Sequence, residues 1–434
     1  MSAPVSSQSM SAFQQTSSAC VKCGKCIPGC TIYRISGDET RSPRGFIDLL
    51  GAYQRGQLAL DKNAKDIFES CFLCTHCVSV CPSSLPTDEL IESVRADIAK
   101  TFGIAWYKRA FFSLLAHRKT MNFVSSCGAL FAPLLFRAHA GGMRARLPLP
   151  FIQNRVLPSS AKISFLQKFP ETIPPDSPAE NPRRVAIFIG CLSNYNYVQV
   201  GESLLAILNK LGIEAFLAKG QSCCGAPAHF TGDRDTVRTL IERNVAYFET
   251  IIDSLEAVLV PEATCAAMIM HDWERFAKED AALCERIRRL TPKFAMASVW
   301  LQTQTQLPQL LAACAPKQAH ITYHDPCHAR KVLGVFKEPR ALLAQNYALK
   351  EMADSNACCG FGGITIQTER FALAQKVGAK KAQMIAQTGA EVVSAECNAC
   401  RMQLVNAMHA HDVDVRFAHP LELIAEALRG QHDG

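Results

Sequence analysis

Eight cysteines near the start of the chain fall into two runs of one form, Cys20-x2-Cys23-x2-Cys26-x3-Cys30 and Cys71-x2-Cys74-x2-Cys77-x3-Cys81-Pro82. Two residues between thiols let a chain wrap a cubic cluster corner by corner, so three thiolates of each run reach three irons of one cube. The fourth cysteine, three residues on, leaves the loop and serves the neighbouring cube. The spacing predicts two [4Fe–4S] clusters, one held by Cys20, Cys23, Cys26 and Cys81, the other by Cys71, Cys74, Cys77 and Cys30. A pair of zinc knuckles is the competing chemistry. Zinc, however, usually takes two distant CxxC pairs rather than three evenly stepped cysteines with a fourth. Lys22, Lys25 and His76 lie among the ligands, either as the solvated face of the loops or as positive charge beside the clusters.

A second cysteine pattern follows, and it is repeated. Cys191, Cys223–Cys224–Gly225 and Cys265 are echoed by Cys327, Cys358–Cys359–Gly360 and Cys400, at offsets of 135 or 136 residues. Tandem duplication explains a register kept this closely. Neighbouring cysteines cannot easily bond to each other without strain, and two adjacent thiolates beside a glycine suggest the edge of a metal cluster. The second copy offers five candidates, because Cys397 opens a CxxC with Cys400; the first offers four, with Glu262 where that CxxC would begin. An additional iron–sulfur cluster is expected in the second copy ahead of the first. Redox-active or zinc-bound cysteines are the alternatives, and inert core thiols are another for the first copy. His324 and His328 flank Cys327 as candidate proton or hydrogen-bond donors, or as ordinary loop histidines. Gly360, Gly362 and Gly363 make no GxGxxG or Walker pattern, so no NAD, FAD or ATP site is expected. Cys127, Cys284 and Cys314 belong to no motif and read as core thiols.

The elements that must position these residues can be read around them. Short β-rich runs, Arg184–Ile189, Ala257–Val260, Ile321–Tyr323 and Glu391–Ser394, lead into the repeated cysteines. Helix-like segments, Asp233–Ile252 and Thr368–Gln387, follow each CCG and open on a capping-type Asp or Thr. That alternation argues for parallel α/β units, in which ligands sit beyond the carboxyl ends of the strands. The chain has 434 residues, enough for several domains, and its 20 cysteines are too many for chance and too dispersed for a small disulfide scaffold. No secretory signal opens it, and residues 1–19 read as a floppy tail. Unexported thiols in this number point to a reducing, cytoplasmic setting.

Charge divides the chain further. The net +7 conceals a stretch from Ile98 to Pro170 with eleven Lys/Arg and no acid. Within it, Thr120 to Phe136 is a charge-free run of 17 residues, short for a membrane span. A basic amphipathic face lying on an anionic membrane or on a partner subunit is the favoured reading, and a buried helical hairpin the plain one. Nothing in the pattern calls for nucleic acid. A linker carrying Pro170, Pro174, Pro175, Pro178 and Pro182 separates this stretch from the repeats.

Paired quartets, the run Gly37-Asp38-Glu39 through Ser42-Pro43-Arg44-Gly45, and two CCG units together resemble the iron–sulfur subunit of glycolate oxidase. The CCG half also resembles the cysteine-rich subunits of heterodisulfide reductase and of anaerobic glycerol-3-phosphate dehydrogenase, and the lactate-utilisation iron–sulfur proteins. Tyr323-His324-Asp325-Pro326-Cys327-His328 and Cys358-Cys359-Gly360-Phe361-Gly362-Gly363 are nearest the lactate group. Thr31 stands after the first quartet where ferredoxins often have proline. The resemblance implies an α+β multidomain chain. Residues 1–19 would be the tail and 20–100 a helical 2[4Fe–4S] ferredoxin domain. A basic apolar helical segment spans 101–166 and the linker 167–183. Two tandem α/β CCG domains follow, 184–305 and 318–430. It also implies a non-cubane [4Fe–4S] cluster on Cys327, Cys358, Cys359, Cys397 and Cys400, with Glu262 breaking the motif in the first copy. Cys191, Cys223, Cys224 and Cys265 remain candidate ligands there. The implied role is electron transfer from a separate FAD-containing dehydrogenase of a 2-hydroxy acid, glycolate or D-lactate, to a quinone or other acceptor, with the chain lying against the inner face of the membrane. A disulfide-reducing enzyme with His324 or His328 supplying protons is the rival. Membership of a glycerol-3-phosphate dehydrogenase complex and a non-enzymatic redox sensor complete the alternatives.

Overall fold

The computed structural model describes residues 15–147, 152, 155–177 and 183–429. Two open sheets carry the repeated half. The first has strand order β3-β5-β4-β6-β7, from β3 (Thr172–Ile173), β4 (Arg184–Ile187), β5 (Glu214–Leu217), β6 (Ala257–Val260) and β7 (Phe294–Met296). The second runs β11-β10-β8-β9, from β8 (His320–Tyr323), β9 (Ala348–Leu349), β10 (Val392–Ser394) and β11 (Arg416–Ala418). Every pair in them is parallel except β3 on β5. Taking β4, β5, β6 and β7 with β8, β9, β10 and β11, the order is the same in both copies, so the duplication in cysteines is a duplication in topology. The strands are buried and rich in Val, Ile, Leu and Ala, as sheets covered on both faces require.

The copies do not stand apart. One buried apolar cluster joins Leu204, Ile207 and Leu208 of the helix Val198–Lys210 to Leu421, Ile424 and Leu428 of the helix Pro420–Arg429. The N-terminal unit is helical. Its helix Pro43–Gln54 is opened by the Ser42 side chain, which accepts from Gly45 N–H, with proline at the first turn. Its core runs on into Ile366, Phe371, Ala374 and Val377 of the second copy. Arg95 ties the unit down, donating to the carbonyls of Cys71 and Phe230 at 2.6 and 2.8 Å.

Several boundaries differ from expectation. Residues 15–19 are helical, and Thr16 is buried; the rest of the expected tail lies outside the described residues. Phe165 and Leu166 enter the first sheet's core, and Thr172–Ile173 pairs with it, so part of the linker folds with the first copy. Pro178 and Pro182 of that linker, and Gly430 at the end of the second copy, lie outside the described residues. Asp233 caps Arg234–Glu249 as expected, but Thr368 opens nothing. The helix Gly363–Glu369 breaks at Arg370 and Phe371–Gln387 follows, because Arg370 turns out to bind Asp66 and Glu69. In the basic segment, Trp106–Ala116 buries Phe112 and Leu115, whereas Arg118–Leu135 buries only Ser125 and Ala129. A hairpin then follows, β1 (Phe136–His139) on β2 (Gly142–Ala145), which hydrophobic periodicity did not anticipate.

Candidate metal centres

Cys20, Cys23, Cys26 and Cys81 line one small void of the N-terminal unit, and Cys30, Cys71, Cys74 and Cys77 line another. The grouping is the crossed one: Cys81 stands with the first run and Cys30 with the second. Each void is about 30 Å³, more than a single water needs. Cys77 borders both, so the two sets are neighbours. All 20 cysteines are free thiols. Burial pushes the Cys30 thiol up to about 12 and Cys77 well above its ordinary value. Thiols crowded and desolvated in this way, without disulfides, are a donor set that a cation completes, and they fit cubic iron–sulfur clusters. Leu73 N–H donates to Cys71 Sγ at 3.4 Å and Thr31 Oγ1 to Cys74 Sγ at 3.3 Å. Thr31 therefore hydrogen-bonds a ligand sulfur where proline could not.

In the repeats, the cysteines follow the carboxyl ends of β4, β5 and β6 and of β8, β9 and β10, the edge at which such sheets bind ligands. The CCG glycines have φ of +100° at Gly225 and +92° at Gly360, left-handed values that only glycine adopts without strain. Gly190 has φ +72°, and a Cβ there would stand 3.1 Å from Cys265 Sγ. The second set is continuous electrostatically, Cys327 acting on Cys358, Cys358 on Cys359, Cys359 on Cys400 and Cys400 on Cys397, and Cys400 N–H donates to Cys397 Sγ at 3.3 Å. Cys358 and Cys400 beside it lower the Cys359 thiol below its ordinary value against the opposing effect of burial. The first set runs Cys191, Cys223, Cys224, Cys265, with Cys224 and Cys265 Sγ 3.4 Å apart.

Glu262 is buried and turned toward the other copy. Its carboxyl accepts from Asn398 N–H at 2.9 Å, from Ser193 Oγ at 2.6 Å and from the Asn398 amide. Burial pushes its pKa up to about 7.

Both sets face one cavity of about 380 Å³, walled by Phe72, Phe111, Phe230, Phe361 and Ile364. His328 lines it, stacked on Phe230 at 5.4 Å, with its pKa lowered by desolvation. His324 does not line it and is 0% exposed, one layer behind Cys327. The cavity also takes in Cys74 and Cys358, which carries the line of thiols from the N-terminal unit into the repeats. Sequence reasoning missed Lys331, which sits between the two: its Nζ donates to Cys74 O at 3.3 Å and to Cys327 Sγ at 3.8 Å. Its spacing, four residues after a ligand on a helical turn, was the available signal. Arg155, whose guanidinium stacks on Phe371, was missed as a cavity wall for want of any local pattern. Cys284 and Cys314 are buried as expected, whereas Cys127 is only half-buried, on the exposed helix Arg118–Leu135.

Comparison with known proteins agrees with this construction. A 4Fe-4S dicluster domain family matches residues 16–85, and a cysteine-rich domain family matches 185–270 and 321–405. The chain is 28% identical to a probable glycolate oxidase iron-sulfur subunit of Bacillus subtilis, over 94% of this chain and 93% of that one. It is 26% identical to one of the subunits of a dihydromethanophenazine:CoB–CoM heterodisulfide reductase of Methanosarcina barkeri, over 94% and 93%. A crystal structure of a hypothetical protein from Helicobacter pylori shares the fold, with a TM-score of 0.54 at 10% identity, covering 98% of this chain and 73% of that one. The chain thus carries a match to a 4Fe-4S dicluster domain followed by two matches to a cysteine-rich CCG domain, the arrangement the structure shows as a helical N-terminal unit and two α/β copies.

Proposed function

We propose that this chain is the electron-transferring subunit of a 2-hydroxy-acid dehydrogenase complex, taking electrons from an FAD-containing partner that oxidises glycolate or D-lactate and delivering them to a quinone or another membrane acceptor. The observation that carries the reading is the unbroken succession of thiol sets. Cys77 borders both N-terminal sets, and Cys74 meets Cys358 at the cavity. Bound at these sets, iron–sulfur clusters supply one-electron chemistry. The protein's share is to hold the thiolates at fixed spacing, to exclude water with buried aromatic walls and to keep a lysine charge beside Cys74 and Cys327.

The exposed helix supports the acceptor side of the proposal. Phe123, Leu130, Phe131, Leu134 and Leu135 on Arg118–Leu135, with Leu147 and Ile163 nearby, are all more than half exposed. Lys119, Arg137, Arg144, Arg146 and Lys162 lie in the same acid-free stretch. Among the described residues no helix is long and apolar enough to cross a membrane. An apolar stripe rimmed by positive charge fits a helix lying in the surface of an anionic bilayer. Flotation with phosphatidylglycerol vesicles is expected to capture the chain, and Leu130→Glu with Leu134→Glu to release it. Capture independent of lipid charge and salt would overturn the electrostatic part.

The central test is co-purification from the native host with metal and flavin analysis. The proposal expects about eight irons from the two quartets, more with the cysteine-rich site loaded, and a flavin on a second polypeptide. It also expects the chain to be reduced when glycolate or D-lactate is added to the complex. Reduction by glycerol 3-phosphate instead would reassign the substrate, and colourless material silent by electron paramagnetic resonance after dithionite would sink the relay. The cavity beside His328 favours one second reading, reduction of a disulfide in this chain. Disulfide reductase activity of the isolated chain with an artificial donor would establish it.

A further inference from the structure

His324 is a fully enclosed polar side chain of the second cysteine-rich site, and the hydrogen-bonding network does not use its ring. It is fully buried, yet neither ring nitrogen has a hydrogen-bond partner. A buried, unpaired polar edge costs about 1–3 kcal/mol, so such a group ordinarily has an employment. One ring nitrogen, Cys359 Sγ and Cys400 Sγ all lie within 4.8 Å of one another. A tetrahedral ion with bonds of about 2.0 Å to nitrogen and about 2.3 Å to sulfur holds its ligand atoms a little under 4 Å apart. Closing this trio on one ion therefore needs a contraction of at most about 1.3 Å. The Ser355 carbonyl approaches the ring without reaching hydrogen-bonding geometry. A backbone carbonyl beside the ring is the usual support of a metal-bound imidazole.

We propose that His324 is a nitrogen ligand to one iron of the second cysteine-rich site, sharing that iron with Cys359 and Cys400. The inference rests on the reading that this site holds iron. A lone pair of neutral imidazole forms the new bond to iron, so no proton moves and no oxidation state changes. Cys327, Cys358 and Cys397 remain for the rest of the cluster. The first copy cannot match the arrangement, because the position equivalent to His324 is Phe188, packed against Phe248 and Phe294.

The test uses the full chain labelled with ¹⁵N-histidine and reconstituted anaerobically with iron and sulfide. Pulsed electron paramagnetic resonance is expected to resolve a directly bound nitrogen whose pattern changes from ¹⁴N to ¹⁵N with the label. His324→Ala should abolish that coupling, with added imidazole restoring it in part, and His328→Phe should leave it intact. Should His324→Ala fail to fold, the labelled native chain and His328→Phe still decide the matter. Iron that is lost on Cys359→Ser but shows no histidine coupling overturns this inference alone, as does a coupling that disappears in His328→Phe. If Cys359→Ser loses no iron, the iron reading of the site falls as well.

Discussion

The two cysteine-rich copies share strand order, CCG glycines and a common cavity, and differ at positions around their thiols. Where the second has His324, His328, Lys331 and Cys397, the first has Phe188, Leu192, Tyr195 and Glu262. At the first three of these positions the second copy has nitrogen-bearing side chains where the first has Phe, Leu and Tyr. Glu262 is the clearest case. It occupies the fifth cysteine's position but directs its carboxyl to Ser193 and Asn398, joining the copies instead of completing a site.

The strongest way to break that comparison is to remove one thiol from each copy. Cys359→Ser is expected to strip the second site, with a loss of about four irons per chain if it holds a four-iron cluster. Cys224→Ser is expected to leave the iron count unchanged. Equal losses, measured by metal analysis on anaerobically prepared protein, would make the copies equivalent and refute the asymmetry.

Much of this contrast was legible beforehand. The repeat offset, the fifth cysteine and the Glu262 substitution are sequence facts, and β-rich runs followed by cysteines place ligands at strand ends by a general property of parallel sheets. What escaped was what depends on long-range packing. The favoured reading of an apolar face beside basic residues fits the exposure of Arg118–Leu135, but the hairpin of β1 and β2 after it escaped, because no alternation of apolar and polar residues announces it. Arg370 breaks a helix because Asp66 and Glu69, some 300 residues earlier, hold it, and no local rule reports that. His324 and His328 look interchangeable in sequence. Three dimensions separate them, one behind the thiols and the other on the cavity.

Glu262 sharpens the comparison through pH. Because burial raises its folded pKa to about 7, the folded chain binds a proton that the unfolded chain releases near the ordinary carboxylate value of 4.5. Stability from this group is therefore present at low pH, falls as pH rises from about 4.5 to 7, and is flat above. The fall is about 3 kcal/mol. Glu262→Gln keeps the shape without the charge and should flatten that part of a denaturation-against-pH curve. A residual slope is expected from Glu396, the buried carboxyl of the second copy, which burial raises to about 8. An unchanged slope in Glu262→Gln would mean that the carboxyl between the copies is not a desolvated acid.

The smallest expected effect tests the charge that only the second copy carries. Burial works to lower the Lys331 pKa, but the electrostatic attraction of the Cys327, Cys74 and Cys358 side chains raises it on balance, so the ammonium stays charged between two thiol sets. A positive charge roughly 7 Å from a redox centre, at an effective dielectric constant of about 20, favours the reduced state by about 2 kcal/mol. For a one-electron couple that is about 100 mV. Lys331→Met should lower the potentials of the Cys30/Cys71/Cys74/Cys77 set and the second cysteine-rich set by up to that amount, and leave the Cys20/Cys23/Cys26/Cys81 set where it was. Lys331→Arg should restore most of the shift. Tyr195→Phe, at the equivalent position of the first copy, should move none of them. Potentiometric titration followed by electron paramagnetic resonance reads all three variants. A uniform shift of every centre would mean that the lysine acts as general surface charge, and would remove its claim to link the N-terminal unit to one copy in particular.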